Sequence, residues 1–426
     1  MDKSYRASLD YLYSLQLFGI KLGLENIRRL LERIGNPQYQ LRIIHIAGTN
    51  GKGSTAAALA NILHQAGIRA GLYTSPHLHS FTERVRVATR QIKEAEVVSL
   101  TAELRPHAAA LRTTFFEFTT ALALLHFQRC GVEWAILETG LGGRLDATNV
   151  VDPELCLITP IGHDHNAYLG NSLVEVAAEK AGIFKAGVPV LSARQQPEVA
   201  QLLRQRAVEL GAELFYADQA YRWDSTAGGL SFCGFDCELY GLQAKLPGHH
   251  QHQNLALALA GAARLRGAGV PITETAMRRG LEMTRWPGRL EWLPDRVLLD
   301  GAHNQAGAQV LADYLEQQGL HRLHLLVGLK ADKPAETLLA PLLPFVERLY
   351  AVRPPVDEAV APGKLVQLAA KSGILAAEYT ELPAALAAAR KNRSPDQVLL
   401  VAGSLFLVAA VRERLLPSTE LLSISD

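Results

Sequence analysis

The sequence predicts an α/β protein with a larger N-terminal domain built on a mostly parallel sheet and a smaller C-terminal domain. Three observations carry this expectation. First, the stretch from Leu41 to Thr55, LRIIHIAGTNGKGST, takes an apolar run (Ile43, Ile44, Ile46) into a glycine-rich turn. An Ala/Leu-rich segment then runs to Gly67, which reads as strand, loop and helix. Second, short apolar runs alternate with helical patterns along most of the chain. Third, Trp286-Pro287-Gly288-Arg289-Leu290-Glu291 breaks that pattern and sets a boundary near 295, dividing residues 1–295 from 296–426.

The bulk numbers agree. A chain of 426 residues has ample length for two or three buried cores. The hydrophobic share of 48% and charged share of 20% are those of a soluble globular protein. A net charge of +1 gives no electrostatic case for nucleic acid or a membrane surface. The N-terminus, MDKSYRASLDYLYSLQ, lacks an apolar signal core, so a cytoplasmic protein is expected. The four cysteines are too few for a disulfide framework, and Cys233 and Cys237 read as ordinary thiols.

Taken in order, residues 5–35 carry helical spacing in two amphipathic patterns. In the glycine turn, Thr49, Asn50, Gly51, Lys52, Gly53 and Ser54 suit a phosphate. Glycines let backbone amides approach it, the following helix adds positive potential, and Lys52 adds an ammonium. The general phosphate-loop pattern is not met, because Ile46 and Gly53 stand at two of its fixed positions. A strand from Arg69 to Thr74 leads to Ser75-Pro76-His77-Leu78. Ser75 there is either a metal ligand or a turn-capping serine. Residues 92–112 read as helix. Thr114-Phe115-Phe116-Glu117 then opens another, as a helix cap with core aromatics or as a seat for a flat ring.

The strand Val132–Leu137 ends on Glu138, a carboxylate placed to hold Mg²⁺ beside a phosphate loop. Leu155–Thr159 leads to His163-Asp164-His165, suited to metal, phosphate or plain hydrogen bonding. Lys180 falls on or just after a helix, where a solvated side chain is the ordinary expectation. Residues 188–240 alternate strand and helix, with shorter β pieces at the end. His249 to Asn254 open an alanine-rich helix, with Asn254 able to reach a nucleotide. Beyond 295, strands at 297–299, 321–328, 349–352 and 397–402 alternate with helices that include 382–391 and 404–415. The stretch 361–389 is alanine-rich but periodic.

The segments HIAGTNGKGST, SPHL with ERVRV, TFFEF, LETGLGGRLDATNVV, EKAGIFK, WPGRLEW, LDGAHN and AGSLFLV span residues 45–408. In that order they resemble the folylpolyglutamate synthase/dihydrofolate synthase family, within the Mur-ligase-like ATP-dependent amide-bond synthetases. The departing phosphate loop is the version this family carries. The resemblance implies a P-loop domain and a Rossmann-like C-terminal domain with ATP bound between them. It implies that residues 49–54 cradle phosphates and that Ser75, Glu138 and His165 bind Mg²⁺. Thr114, Phe115, Phe116, Glu117, Leu145, Asp146 and Ala147 would line the pteroate or folate site, with Asp146 as its polar contact. Asn254, Arg289 and Asp300 would contact ATP, and His303 would lie close to the phosphates. Lys180 would be carboxylated and help hold a second Mg²⁺, and K⁺ is a further implied ion. His163, Asn166-Ala167 and Pro334 depart from the family's pattern and bear on substrate preference.

The expected reaction is phosphorylation of an acceptor carboxylate by ATP, then attack by the amine of L-glutamate. The acceptor is 7,8-dihydropteroate, a folylpolyglutamate or both, and the TFFE and LDA segments incline the reading to both. Small molecules would be the only partners, and a monomer the default. A peptidoglycan-type ligase acting on a UDP-sugar is the nearest alternative, against which TFFEF and WPGRLEW speak. A P-loop switch is the alternative of another class, but the guanine-reading Asn-Lys-x-Asp is absent.

Overall fold

The computed structural model describes residues 2–19, 23–226, 228–417 and 421. Part of the expected helical stretch 5–35, residues 20–22, lies outside these. The chain divides into two compact units, the first of residues 1–245 and 251–284 and the second of 246–250 and 285–426.

The first unit begins with α1 (Lys3–Ser14) and α2 (Glu25–Arg33). Then come β1 (Arg42–Ala47), α3 (Lys52–Gln65), β2 (Ala70–Tyr73), β3 (Val85–Val87) and β4 (Arg90–Gln91). Next are α4 (Glu94–Ala108), α5 (Phe115–Arg129), β5 (Trp134–Glu138), β6 (Leu155–Ile158), α6 (Asn166–Leu169) and α7 (Leu173–Ala181). The unit continues with β7 (Val190–Ser192), α8 (Pro197–Glu209), β8 (Leu214–Tyr216), β9 (Tyr221–Thr226), β10 (Gly229–Gly234) and β11 (Cys237–Leu242). It closes with α9 (His249–Gly267), whose first two residues fall in the second unit, and α10 (Glu274–Met283).

Eight strands form one sheet in the order β4-β3-β2-β5-β1-β6-β7-β8. From β2 to β8 neighbours run parallel, while β3 and β4 add antiparallel pairs at one edge. β1 lies third from one end of the parallel set and is buried from Ile43 to Ala47. Its mainly apolar run, interrupted only by His45, is what a parallel strand covered on both faces requires. Strands β9, β10 and β11 form a separate antiparallel sheet. Cys233 and Cys237 stand there as thiols, against Glu238 and Met277 respectively.

The second unit runs β12 (Glu291–Leu293), β13 (Val297–Leu299), α11 (Gln305–Gln317), β14 (Leu323–Val327), α12 (Ala335–Leu339), β15 (Val346–Val352) and α13 (Pro362–Lys371). It ends with β16 (Leu375–Tyr379), α14 (Leu382–Lys391), β17 (Leu399–Ala402) and α15 (Leu405–Leu415). Its sheet order is β12-β13-β17-β14-β15-β16, parallel except for the β12 hairpin edge. Since β12 already belongs to this sheet, the second unit takes up residues that the composition break near 295 left in the first. β16 carries no separate strand signal, because Leu-Ala-Ala-Glu-Tyr lacks β-branched residues and is nowhere buried. No helix of the described residues is long and apolar enough to cross a membrane.

Candidate active site

The turns that follow β2, β5, β1 and β6 lie side by side, because these four parallel strands are neighbours in that order. At these strand ends stand Ser75, Glu138 (the last residue of β5), the glycine loop and His165 respectively. The carboxyl edge of an open parallel sheet is where such folds collect ligands.

In the glycine loop, Gly48 has φ +146° and a Cβ there would sit 1.9 Å from Thr159 Oγ1. Gly51 has φ +89°, and its Cβ would sit 2.2 Å from Asn254 Oδ1. Both positions therefore need glycine for backbone conformation and for room. The amides of Thr49 and Asn50 are turned inward to Pro160 O, at 3.0 and 3.4 Å. The Thr49 hydroxyl bonds the Gly162 backbone at 2.9 and 3.0 Å. Thr49 and Asn50 thus brace the loop with their amides. Helix α3 begins after Gly51 with no side-chain cap. The amides of Lys52, Gly53 and Ser54 consequently head the helix without an intrahelical acceptor, as an anion site requires.

Lys52 Nζ donates to Gly48 O at 3.2 Å and Thr49 O at 3.1 Å, so the ammonium is folded back over the loop. Lys180, expected in solvent, is 4% exposed, and its Nζ donates to the same Gly48 oxygen at 2.8 Å. The reason is spacing: Leu173, Val176, Ala177, Lys180 and Ala181 form the buried face of α7. Burial pushes the Lys180 ammonium down to about 7, and the nearby Lys52 charge adds to this, against Asp164 and Asp146. Asn254 is also brought to the loop, with Nδ2 on Gln251 Oε1 at 3.0 Å and its carbonyl accepting from the Thr55 hydroxyl at 3.3 Å.

Glu138 ends β5, is 5% exposed, and accepts the Ser75 amide on Oε2 at 3.2 Å. Ser75 and Glu138 are therefore together. His165 takes φ +53° at the start of α6, with its amide on Asp164 Oδ1 at 2.8 Å. Among the described residues no group of three or more His, Cys, Asp or Glu side chains could hold a metal ion. A buried carboxylate and a hydroxyl beside a phosphate loop nevertheless fit Mg²⁺, which takes few protein oxygens and keeps water and phosphate oxygens.

The residues expected to line a pteroate site divide in two. Thr114 and Glu117 form a capping box on α5, with the Thr114 amide on Glu117 Oε2 at 2.7 Å and the Glu117 amide on Thr114 Oγ1 at 3.3 Å. Glu117 is thus engaged in the helix cap. Asp146 Oδ2 accepts the Gly140 and Leu141 amides at 2.9 and 2.8 Å. Its Oδ1 accepts the Thr148 amide at 3.0 Å and hydroxyl at 2.5 Å. Burial still pushes its carboxyl above the usual range. Asp146 fastens the turn after Glu138, with Ala147 buried and Leu145 half-buried beside it. Phe115 stacks on Tyr13 at 5.8 Å and Phe116 lies 5.9 Å from Tyr73, leaving both phenylalanines half-buried.

Two features escaped the sequence reading. Buried His45 in β1 bonds Thr148 Oγ1 at 2.7 Å, extending the Asp146 network, and burial pushes its imidazole down to about 3. In the turn after β2, Arg84 Nε donates to His77 Nδ1 at 2.7 Å. The signal for both was present: a polar residue inside an apolar strand, and the SPHL and ERVRV segments.

The second unit gathers its own three residues. Asp300, 7% exposed, accepts the Leu290 amide on Oδ2 at 2.9 Å and the Ala302 amide on Oδ1 at 2.8 Å. Burial pushes its carboxyl up, opposed chiefly by the Arg289 charge. His303 Nδ1 bonds Gly301 O at 2.8 Å.

Against known proteins, the Mur ligase middle domain family model matches residues 46–262, and the Mur ligase glutamate ligase domain matches 288–405. The dihydrofolate synthase/folylpolyglutamate synthase of Bacillus subtilis is 34% identical, over 97% of this chain and 100% of that protein. The Escherichia coli protein of the same description is 32% identical, over 95% and 94%. Among solved structures, E. coli FolC in complex with DHPP and ADP aligns with TM-score 0.88 at 31% identity, covering 96% of this chain and 97% of that one. The Yersinia pestis bifunctional enzyme complexed with AMPPNP and Mn ion aligns with TM-score 0.87 at 32% identity, covering 97% and 99%.

Proposed function

The chain belongs to the folylpolyglutamate synthase/dihydrofolate synthase family, and from that premise we propose how its own residues serve the family's reaction. It is an ATP-dependent ligase that joins L-glutamate to dihydropteroate, to folylpolyglutamate or to both. Our reading is that this chain does both, on the TFFE and LDA segments. The carrying observation is the open start of α3, with two lysines on Gly48 O and the Ser75–Glu138 pair at the ends of the next two strands.

In this reading the amides of Lys52, Gly53 and Ser54 receive the phosphates. Lys52 swings from the loop carbonyls to the γ-phosphoryl, where charge accumulates. An acceptor carboxylate oxygen bonds to γ-phosphorus as the bond to ADP breaks. The glutamate amine then attacks the acyl carbon, phosphate leaves, and the amine's surplus proton passes to solvent. Ser75, Glu138 and His165 would hold Mg²⁺, which when bound neutralises phosphate charge. Thr49, Asn50 and Gly51 shape the loop, and Asn254, Arg289, Asp300 and His303 are proposed nucleotide or phosphate contacts.

Thr114 to Glu117 and Leu145 to Ala147 frame the acceptor, with Glu117 and Asp146 acting through the backbone they fasten. Lys180, whose burial favours the neutral amine, is set to take up CO₂ as a carbamate and help hold a second Mg²⁺. K⁺, a cytoplasmic location and a monomeric state complete the proposal. The test is incubation with ATP, radiolabelled glutamate and each acceptor in turn. Incorporation into both acceptors is expected, and incorporation into neither contradicts the reading.

A further inference from the structure

The turn after β2 holds an arginine that the reaction so far leaves unused. Arg84 is 7% exposed. Its Nε donates to His77 Nδ1 at 2.7 Å, and its guanidinium carbon lies 5.1 Å from the Phe115 ring centre. Its two terminal nitrogens form no hydrogen bond among the described residues and keep some solvent access. A guanidinium keeps its charge and carries five N–H donors, so most of its donors here stay open to a ligand.

The surrounding turn is built to hold this arrangement. Glu83 accepts the amides of Leu78, His79 and Ser80, each at 2.8 Å. Ser80 and Glu83 also form a capping box. Because Arg84 can only donate, His77 Nδ1 is an acceptor and the imidazole proton lies on Nε2. The pair therefore offers N–H donors alone, which suit an anion even with the Glu138 and Glu83 carboxylates also acting on the guanidinium.

The neighbours narrow the anion. On one side, Arg84 O accepts the Thr74 amide at 3.0 Å, and the next residue, Ser75, is bonded to Glu138. On the other side, Phe115 meets Phe81 edge-on at 6.3 Å and stacks on Tyr13. A triphosphate gains nothing from that aromatic wall, and free glutamate has no ring to place there. An acid group carried on an aromatic ring meets both requirements. We propose that Arg84, with His77 beside it, binds the aryl carboxylate of the dihydropteroate acceptor and fixes it for phosphorylation. This deepens the ligase reading above and rests on it.

Calorimetric titration of the full chain, with AMPPNP and Mg²⁺ present, would compare dihydropteroate with its analogue bearing hydrogen in place of the carboxyl group. The wild type should prefer the carboxylate by about tenfold or more, as charged hydrogen bonds allow. Arg84→Met should reduce that preference to about twofold or less, with AMPPNP affinity held. Arg84→Lys keeps the charge but loses the fork and should recover only part of it. An unchanged preference in Arg84→Met overturns the proposal. Should that variant fail to fold by circular dichroism, Arg84→Lys and His77→Gln decide, and full preference in both overturns it. Glutamate incorporation by the wild type reports separately on the ligase reading. A wild type that incorporates glutamate yet binds both compounds equally overturns only this inference.

Discussion

Where β1 turns into α3, the helix starts on Gly51 with no side chain over its first amides. Where β13 turns into α11 in the second unit, Asn304 caps the helix by accepting the Gly307 amide at 2.8 Å, and Asp300 takes the Leu290 and Ala302 amides. Both are strand-to-helix turns at the carboxyl edge of a parallel strand. One leaves the amides that head its helix without a side-chain cap and carries two lysines on Gly48 O, while the other spends its amides on its own side chains. Asp146, both of whose oxygens serve the turn after β5, belongs with the closed kind. A charged residue beside a site is therefore judged by what its atoms already hold.

The most forceful way to break the comparison is to remove the groups at the open turn. Lys52→Ala and Glu138→Ala should each lower turnover by about a hundredfold or more, measured as glutamate incorporation at saturating substrates. Near-normal rates would mean the open helix start is incidental.

Gly51→Ala comes next. It imposes φ +89° on a residue with a Cβ and drives that Cβ against Asn254. A strain cost of about 1–3 kcal/mol is expected, with weakened nucleotide binding in an equilibrium titration.

The buried Lys180 adds a pH signature to the open turn. Its folded pKa of about 7 lies below the ordinary lysine value of 10.5, so between these the unfolded chain binds more protons. Its destabilising effect is then full below about pH 7 and is relieved as pH rises through that window. Urea unfolding should show a larger gain in stability from neutral to alkaline pH in the wild type than in Lys180→Met.

The smallest effect belongs to the closed turn. Asn304→Ala should cost about 1 kcal/mol of stability, the ordinary worth of a helix cap, in urea unfolding of the full chain. Nucleotide affinity should stay as it was, and a large loss would show that the capped turn also serves the ligand.

Much of this was legible in the residues. Ile43, Ile44 and Ile46 before glycines specify β1 and its turn, and Thr114-x-x-Glu117 is a helix-capping signature that the structure repeats. Glu138 at a strand end gave its own place. Strand order was not legible, since it depends on how connections cross the sheet, and it alone makes neighbours of Ser75, Glu138 and the glycine loop. The burial of Lys180 was written in the spacing of α7, but the ordinary habit of lysine hid it. The engagement of Asp146 depends on the path of Gly140 and Leu141, which no local pattern specifies. His45 was concealed by the isoleucines around it, although a parallel strand covered on both faces had to bury it as well.

The central claim is that ATP activates the acceptor's own carboxylate. Dihydropteroate labelled with oxygen-18 in that group, turned over with ATP and L-glutamate, tests it in one experiment. Transfer of one labelled oxygen into the released phosphate is the expected result. Phosphate free of label, formed at the same rate as the amide product, would contradict it.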